Sequence, residues 1–291
     1  MRKWAQKIAV ACLFSVALVA PLVFVGILVH VVYQSLPAAA TVNFSALYTP
    51  GTWRPISPSG LPGFNVLPMV LTTLYVAVLA VAIAAPLGIM AAIFLNYFAA
   101  NRLTRWALAF IDLLAGVPSV IFGFIGLLVV VQSMETWLGM SAGESVLAAA
   151  LVLAVMLLPF VISTYSESIQ KAKARYHATS VALGLSPAYV ARKMLLPATK
   201  CGAGAAIVLA FGRATSETIA VMMVIGNAPI FPRLLGRGQT VSGLTALEMG
   251  SAEVGSLHAS AIYGANAVML GVLALILLGT YGLKRLMHEK M

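Results

Sequence analysis

Long apolar runs separated by short polar stretches dominate the chain. Six of them are long enough to cross about 30 Å of hydrocarbon as helix, which takes roughly 20 residues: 8–32, 69–95, 106–131, 145–164, 201–226 and 257–283. Backbone N–H and C=O groups in lipid have no water to pair with and must satisfy one another, so each run predicts a helix. The fold class expected is all-α, a polytopic membrane protein with six transmembrane helices. Between the runs, residues 34–66 contain TPGTWRPISPSGLPG and read as an irregular external loop too short for a core of its own. Residues 1–291 are therefore expected to form a single transmembrane domain.

Composition agrees. Of 291 residues, 61% are hydrophobic and 9% charged, and the mean hydropathy is +1.00, which excludes a soluble domain with a solvated surface. A net charge of +10 would suit nucleic acid, but no basic helix interleaves with aromatics, and the cations sit between the apolar runs. The expected contact is membrane lipid, with no nucleic acid.

The placement of those cations sets the orientation. The N-terminus (Arg2, Lys3, Lys7), the second loop (Arg102, Arg105), the fourth (Lys171, Lys173, Arg175, Arg192, Lys193, Lys200) and the tail (Lys284, Arg285, Lys290) hold 14 of the 18 Lys and Arg, and the alternate loops hold Arg54, Arg233 and Arg237. Positive residues in short loops favour the cytoplasm, so both termini and the loop 167–200 are predicted cytoplasmic. The third loop (Glu135, Glu144) and the fifth (Arg233, Arg237, Glu248, Glu253) are then external. Trp4, Trp106 and Trp137 fall near span ends, where interfacial tryptophans sit. The first run resembles a signal sequence, with Ala38-Ala39-Ala40 as a cleavage site, but it is longer than a signal core and reads as an uncleaved helix.

Cys12 and Cys201 lie within or at the edge of apolar runs, poor ground for a disulfide, and His30, His177, His258 and His288 are scattered singly. No metal site and no cofactor bound by this chain are expected.

The fourth loop reads ESIQKAKARYHATSVALGLSPAYVARKMLLPATK. Ala, Ser and Leu through Ala182-Leu183 favour helix, Gly184 is a stop, Ser186-Pro187 is a cap followed by a first-turn proline, and a second helix runs to Pro197. One reading is a basic connector held against anionic lipid. It leaves unexplained the small residues Ala178, Ser180 and Ala182, which suit close approach of a partner helix.

At this point the sequence resembles a known family. ATSVALGLSP followed by MLLP is similar to the EAA loop of ABC-importer permeases, and the resemblance implies that this loop docks on a cytoplasmic ATPase. Gly184 and Leu196-Pro197 are in register, whereas Ala178 stands where the motif glutamate usually does. LLAGVPSVIFGFIGL in span three and FGRATSETIAVMMVIGN in span five resemble the phosphate-specific permeases, with Ser216 in place of the usual glycine before the glutamate. MVIGN and the long first external loop favour the PstC-type over the PstA-type subunit. The resemblance implies a bacterial inner-membrane location, a second permease of PstA type, a cytoplasmic ATPase dimer and an external phosphate-binding protein.

Span five carries Arg213 and Glu217 in an apolar segment otherwise free of charge. Ionisable groups at bilayer depth are costly and tend to be functional. On a continuous helix Arg213, Ser216, Glu217 and Ala220 share one face. One reading is a neutralised intrahelical bridge; the other is a gated anion contact, in which the planar guanidinium fork meets phosphate oxygens and Glu217 holds Arg213 when no substrate is present. Asp112, expected about seven residues into span three, either reaches interfacial water or makes a helix or pathway contact. Pro86, Pro118 and Pro159 are expected to bend their helices.

No GxxxxGK[ST] sequence occurs, so ATP is expected to be used by a partner, and the chain is expected to be a transport subunit and not an enzyme. The alternative function is an ion-coupled secondary carrier or channel for an oxyanion. It calls for inverted repeats with paired broken helices, which the sequence lacks. A membrane enzyme would need a clustered nucleophile, base or metal set, and none is visible.

Overall fold

The structure, a computed structural model, describes residues 2–41, 53–55, 63–99 and 101–288, excluding the side chains at 2–3, 5–9, 11–12, 41, 101 and 280–288. Cys12, the terminal cations and most of TPGTWRPISPSGLPG lie outside that description. The described chain is helical apart from one short ladder, as expected of an all-α membrane protein. Among the described residues five helices are long and apolar enough to cross a membrane, and a bent pair, Pro187–Ala198 with Lys200–Ser216, raises the number to six when taken as one span.

The chain divides into two compact units. The first comprises Met1–Val66 and Glu248–Gly271. Its helix α1, Arg2–Thr41, exposes large apolar side chains from Leu13 to Leu36, a surface suited to lipid or a second subunit. Residues 34–41 thus continue the first helix, where a loop was expected. The end of α1 is held by Ser260, which accepts from Ala38 N at 3.0 Å and donates to Gln34 O at 2.6 Å.

Strands β1 (Trp53–Arg54) and β2 (Gly63–Phe64) pair antiparallel in the same unit, with Trp53 opposite Phe64. Trp53 is buried, and its indole N–H donates to both carboxylate oxygens of Glu248, at 3.1 and 2.9 Å. His258 Nε2 lies 2.8 Å from the same carboxylate. A buried indole N–H needs an acceptor, and this clasp supplies one. The described part of the expected irregular loop is therefore anchored.

The second unit, Leu67–Leu247 with Val272–Met291, holds the larger core. Helix α2, Leu67–Ile93, packs along helix α6, Val146–Ala182, through fully buried Ala77, Ala80, Ala84, Ala148 and Ala149. Small side chains let two helices in lipid approach closely. Pro86 and Pro159 lie inside these two helices, neither of which is interrupted.

Span three differs from expectation. The run 106–131 divides into helix α3, Asn101–Ala115, and, after Gly116-Val117-Pro118, a crossing of 20 residues, Ser119–Leu138, built from α4 (Ser119–Ile125), a π-helical stretch and α5 (Gln132–Leu138). Proline lacks an N–H and pushes its predecessor out of the helical region, so the helix stops there. α3 is amphipathic: Leu108 and Ile111 pack on the core while Arg102, Arg105, Leu103, Trp106 and Phe110 are exposed. Asp112 therefore lies in α3, before the 20-residue crossing and not seven residues into it.

Candidate functional site

Span five is broken at the charged turn. Helix α9, Lys200–Ser216, ends one residue before Glu217, which is extended (φ −70°, ψ 128°), and helix α10 begins afresh at Ile219–Val224. The local sequence explains the break. Thr215, Ser216 and Thr218 hydroxyls donate to the carbonyls of Gly212, Arg213 and Ser216, and such side-chain bonds compete with the helical ladder. Glu217 Oε1 accepts from Ala220 N at 3.3 Å, capping α10. The freed Glu217 carbonyl accepts from Ser242 Oγ at 3.0 Å.

Ala220 accordingly leaves the stripe begun by Arg213, Ser216 and Glu217, and no ion pair joins Arg213 to Glu217. Glu217 still follows Arg213 by one turn, but its carboxylate turns to Ala220 N in the first turn of α10. Arg213 is exposed, and its guanidinium carbon lies 5.5 Å from the centroid of the Phe160 ring, in cation–π range. Ser216 is exposed beside it and Glu217 half-buried. One turn on from Phe160 along α6, Ser163 donates to Asp112 Oδ1 at 3.0 Å. Phe160 and Ser163, three residues apart on one helical face, thus bring the exposed Arg213 and Asp112 to adjacent turns of α6. Neither α6 residue stands out in the sequence, because a phenylalanine and a serine in an apolar run carry no signal until their neighbours are known.

The segment after α10 folds back onto this break. Gly238 through Val241, Gly243 and Leu244 are buried, and Val241 N donates to Thr73 Oγ1 at 3.0 Å. The N–H groups of Ser145, Val146 and Leu147, which a helix start leaves without partners, donate to the carbonyls of Val224, Gly236 and Leu234. The first part of the fifth loop is therefore packed core. Helix α11, Val241–Glu248, follows.

The fourth loop forms the expected helix, turn and helix. α6 ends in a Schellman turn: Leu185 N donates to Ser180 O and Gly184 N to Val181 O, with Gly184 at φ +62°. Ser186 caps helix α7, Pro187–Val190, by accepting from Tyr189 N, and Pro187 occupies its first turn. A π-helical stretch and helix α8, Leu196–Ala198, carry the chain past the exposed Pro197 to Thr199. Ala178 and Ala182 are exposed, whereas Ser180 is buried with its hydroxyl on His177 O. The three small residues do not form one face, because positions two apart on a helix point to nearly opposite sides.

The model of the binding-protein-dependent transport system inner membrane component family matches residues 84–288, most of the chain. The chain belongs to that family. Among transport inner-membrane components it is 35% identical over 219 residues to the probable ABC transporter permease protein YqgH of Bacillus subtilis, covering 75% of this chain and 70% of that one. It is 30% identical over 272 residues to the phosphate transport system permease protein PstC of Mesorhizobium japonicum, covering 87% and 81%. Its fold is similar to that of the MetNI methionine ABC transporter in an inward-facing conformation, with a TM-score of 0.58 at 18% identity over 76% of this chain and 94% of that one. The chain is thus an ABC-importer permease, a multi-pass inner-membrane subunit of an assembly with a further permease, an ATPase and a binding protein.

Proposed function

We propose that the chain is the PstC-type permease of an ATP-driven phosphate importer. It forms the translocation pathway with a PstA-type permease, receives phosphate from an external phosphate-binding protein, and couples to a cytoplasmic ATPase dimer that uses the ATP. The chain itself binds no cofactor and performs no chemistry. The 30% identity to a PstC protein over most of both chains supports the substrate assignment.

The observation that carries the pathway reading is the exposed guanidinium of Arg213 at a break in span five, uncommitted to any carboxylate. A guanidinium offers paired donors that match phosphate oxygens. Ser216 adds a hydroxyl beside it, Glu217 holds the break open by capping α10, and Asp112 fixes α3 against the same face of α6. At the other end, exposed Ala178 and Ala182 present a small-residue surface to the ATPase, and Gly184, Ser180 and Pro197 set the turn and the limits of the docking segment.

The test is co-purification of the assembled complex followed by reconstitution in vesicles with phosphate and its binding protein. ATP-dependent phosphate uptake is expected. Uptake driven by an ion gradient without ATP would favour a secondary carrier and overturn the importer. Labelling of single cysteines at 170–195 from outside intact cells would overturn the orientation.

A further inference from the structure

A buried polar hub joins span two to the shaft of the docking loop. Asn96 is 7% exposed and lies in the π-helical turn Phe94–Phe98 that ends span two. Its amide nitrogen donates to Ala92 O and to Ser166 Oγ, both at 2.8 Å, and its amide oxygen accepts from Gln170 Nε2 at 3.2 Å. Its main-chain carbonyl accepts from Lys173 Nζ at 2.8 Å. Both donors of the amide are therefore used, and its oxygen is paired.

The three α6 partners, Ser166, Gln170 and Lys173, are spaced by four and then three residues and share one helical face. Carbonyls in the last turn of a helix have no partner within it and carry partial negative charge, so an ammonium there is favoured. The preceding α6 residue, Tyr165, is 1% exposed, and its hydroxyl lies 2.7 Å from Thr199 Oγ1. Thr199 is the joint at which the docking segment meets α9 with a bend of 64°. Two consecutive residues of α6 thus tie it to the end of span two and to the start of span five. The same helix runs on, without interruption, to the Gly184 turn.

Toward their other ends α2 and α6 are held together by apolar packing, much of it by alanine and valine. The buried Asn96–Ser166 pair, rimmed by the exposed Gln170 and half-buried Lys173, adds a fixed register, because sliding or rotation leaves the buried amide and hydroxyl unpaired at a cost. We propose that Asn96 is a positioning residue for coupling: it locks the cytoplasmic end of span two to α6, so that displacement of the docking loop by the ATPase moves span two together with span five. This rests on the importer reading above.

The experiment reconstitutes the full complex with the binding protein and measures phosphate taken up per ATP hydrolysed, for wild type, Asn96→Leu, Lys173→Met and the double variant. The ratio is expected to fall about tenfold in Asn96→Leu, within the range of coupling between sites in proteins. Lys173→Met should fall in the same direction, and the double variant should be no worse than the worse single, since both act through one joint. Complex yield and ATP hydrolysis without binding protein should stay at wild-type levels, which a purely structural role would not predict. Where Asn96→Leu fails to assemble, Lys173→Met at the rim of the hub gives the same ratio. An unchanged ratio, or uptake and hydrolysis falling together in proportion to yield, overturns the proposal. A wild-type complex that moves no phosphate at the expense of ATP overturns the importer reading itself, before any variant is compared.

Discussion

The guanidinium of Arg213 rests over the ring of Phe160 at 5.5 Å, while the carboxylate of Glu217, four residues on, is occupied by the backbone N–H of Ala220. The contact with the ring offsets only part of the cost of an intramembrane cation, about 0.5–2 kcal/mol, and leaves the planar donors free. A cation held this way is presented to a ligand without first breaking an ion pair.

Arg213→Ala is expected to lower phosphate uptake about tenfold to a hundredfold, the worth of a hydrogen bond to a charged group, with complex yield unchanged because no buried carboxylate loses its partner. Arg213→Lys should recover little, since an ammonium lacks the bidentate fork. Uptake by reconstituted vesicles, normalised to yield, checks both. Near-normal uptake in Arg213→Ala would remove the anion contact from the mechanism.

Glu217 separates charge from cap. Glu217→Gln keeps an oxygen for Ala220 N and should leave thermal stability close to wild type, whereas Glu217→Ala should cost about 1 kcal/mol, as loss of a cap does. Melting of the purified complex reads the difference. Equal destabilisation by both substitutions would mean that the carboxylate charge, and not the cap, holds the break.

At Gly184 the space is open, with nothing within 4 Å of an added Cβ, so only its φ of +62° resists substitution. Gly184→Asn, which tolerates that conformation, should transport nearly normally. Gly184→Val should cost about 1–2 kcal/mol of local strain and lower uptake and transport-linked ATP hydrolysis together. Normal transport by the valine variant would show that this turn does not need its present shape.

Gly143 offers the opposite case. A Cβ there would collide with the main-chain oxygen of Val131, which cannot swing aside as a flexible side chain can. Gly143→Ala should destabilise by about 1–3 kcal/mol or more and reduce the yield of folded protein. Gly204→Ala, in an exposed turn of α9 with no neighbour within 4 Å, should be neutral or stabilising by up to about 1 kcal/mol. Expression and melting of the two variants side by side check the contrast.

Much of this molecule is legible along the chain. The apolar runs mark the spans, and Gly184 with Ser186-Pro187 marks the turn and cap of the docking loop, because Schellman turns and caps are closed by residues a few positions apart. The position of Asp112 is not legible in this way: the run 106–131 is apolar enough to read through Pro118, and an amphipathic helix and a crossing joined by a proline look like one segment to hydropathy alone. The hub around Asn96 leaves no mark in the sequence, because its partners are 70 to 77 residues away and a lone asparagine near a span end carries no pattern.

Composition and near neighbours along the chain are enough to specify a multi-pass helical protein, the sites of its turns, and a charged pair set in an apolar stretch. The partners of that pair come from packing across helices. A helix in lipid breaks only where every freed backbone group finds a new partner, and at Glu217 one of those partners is Ser242, supplied by a segment that folds back from 25 residues on. The ring beneath Arg213 and the serine holding Asp112 likewise come from α6, so whether Arg213 is bridged or free was settled by packing between helices and not by spacing within one.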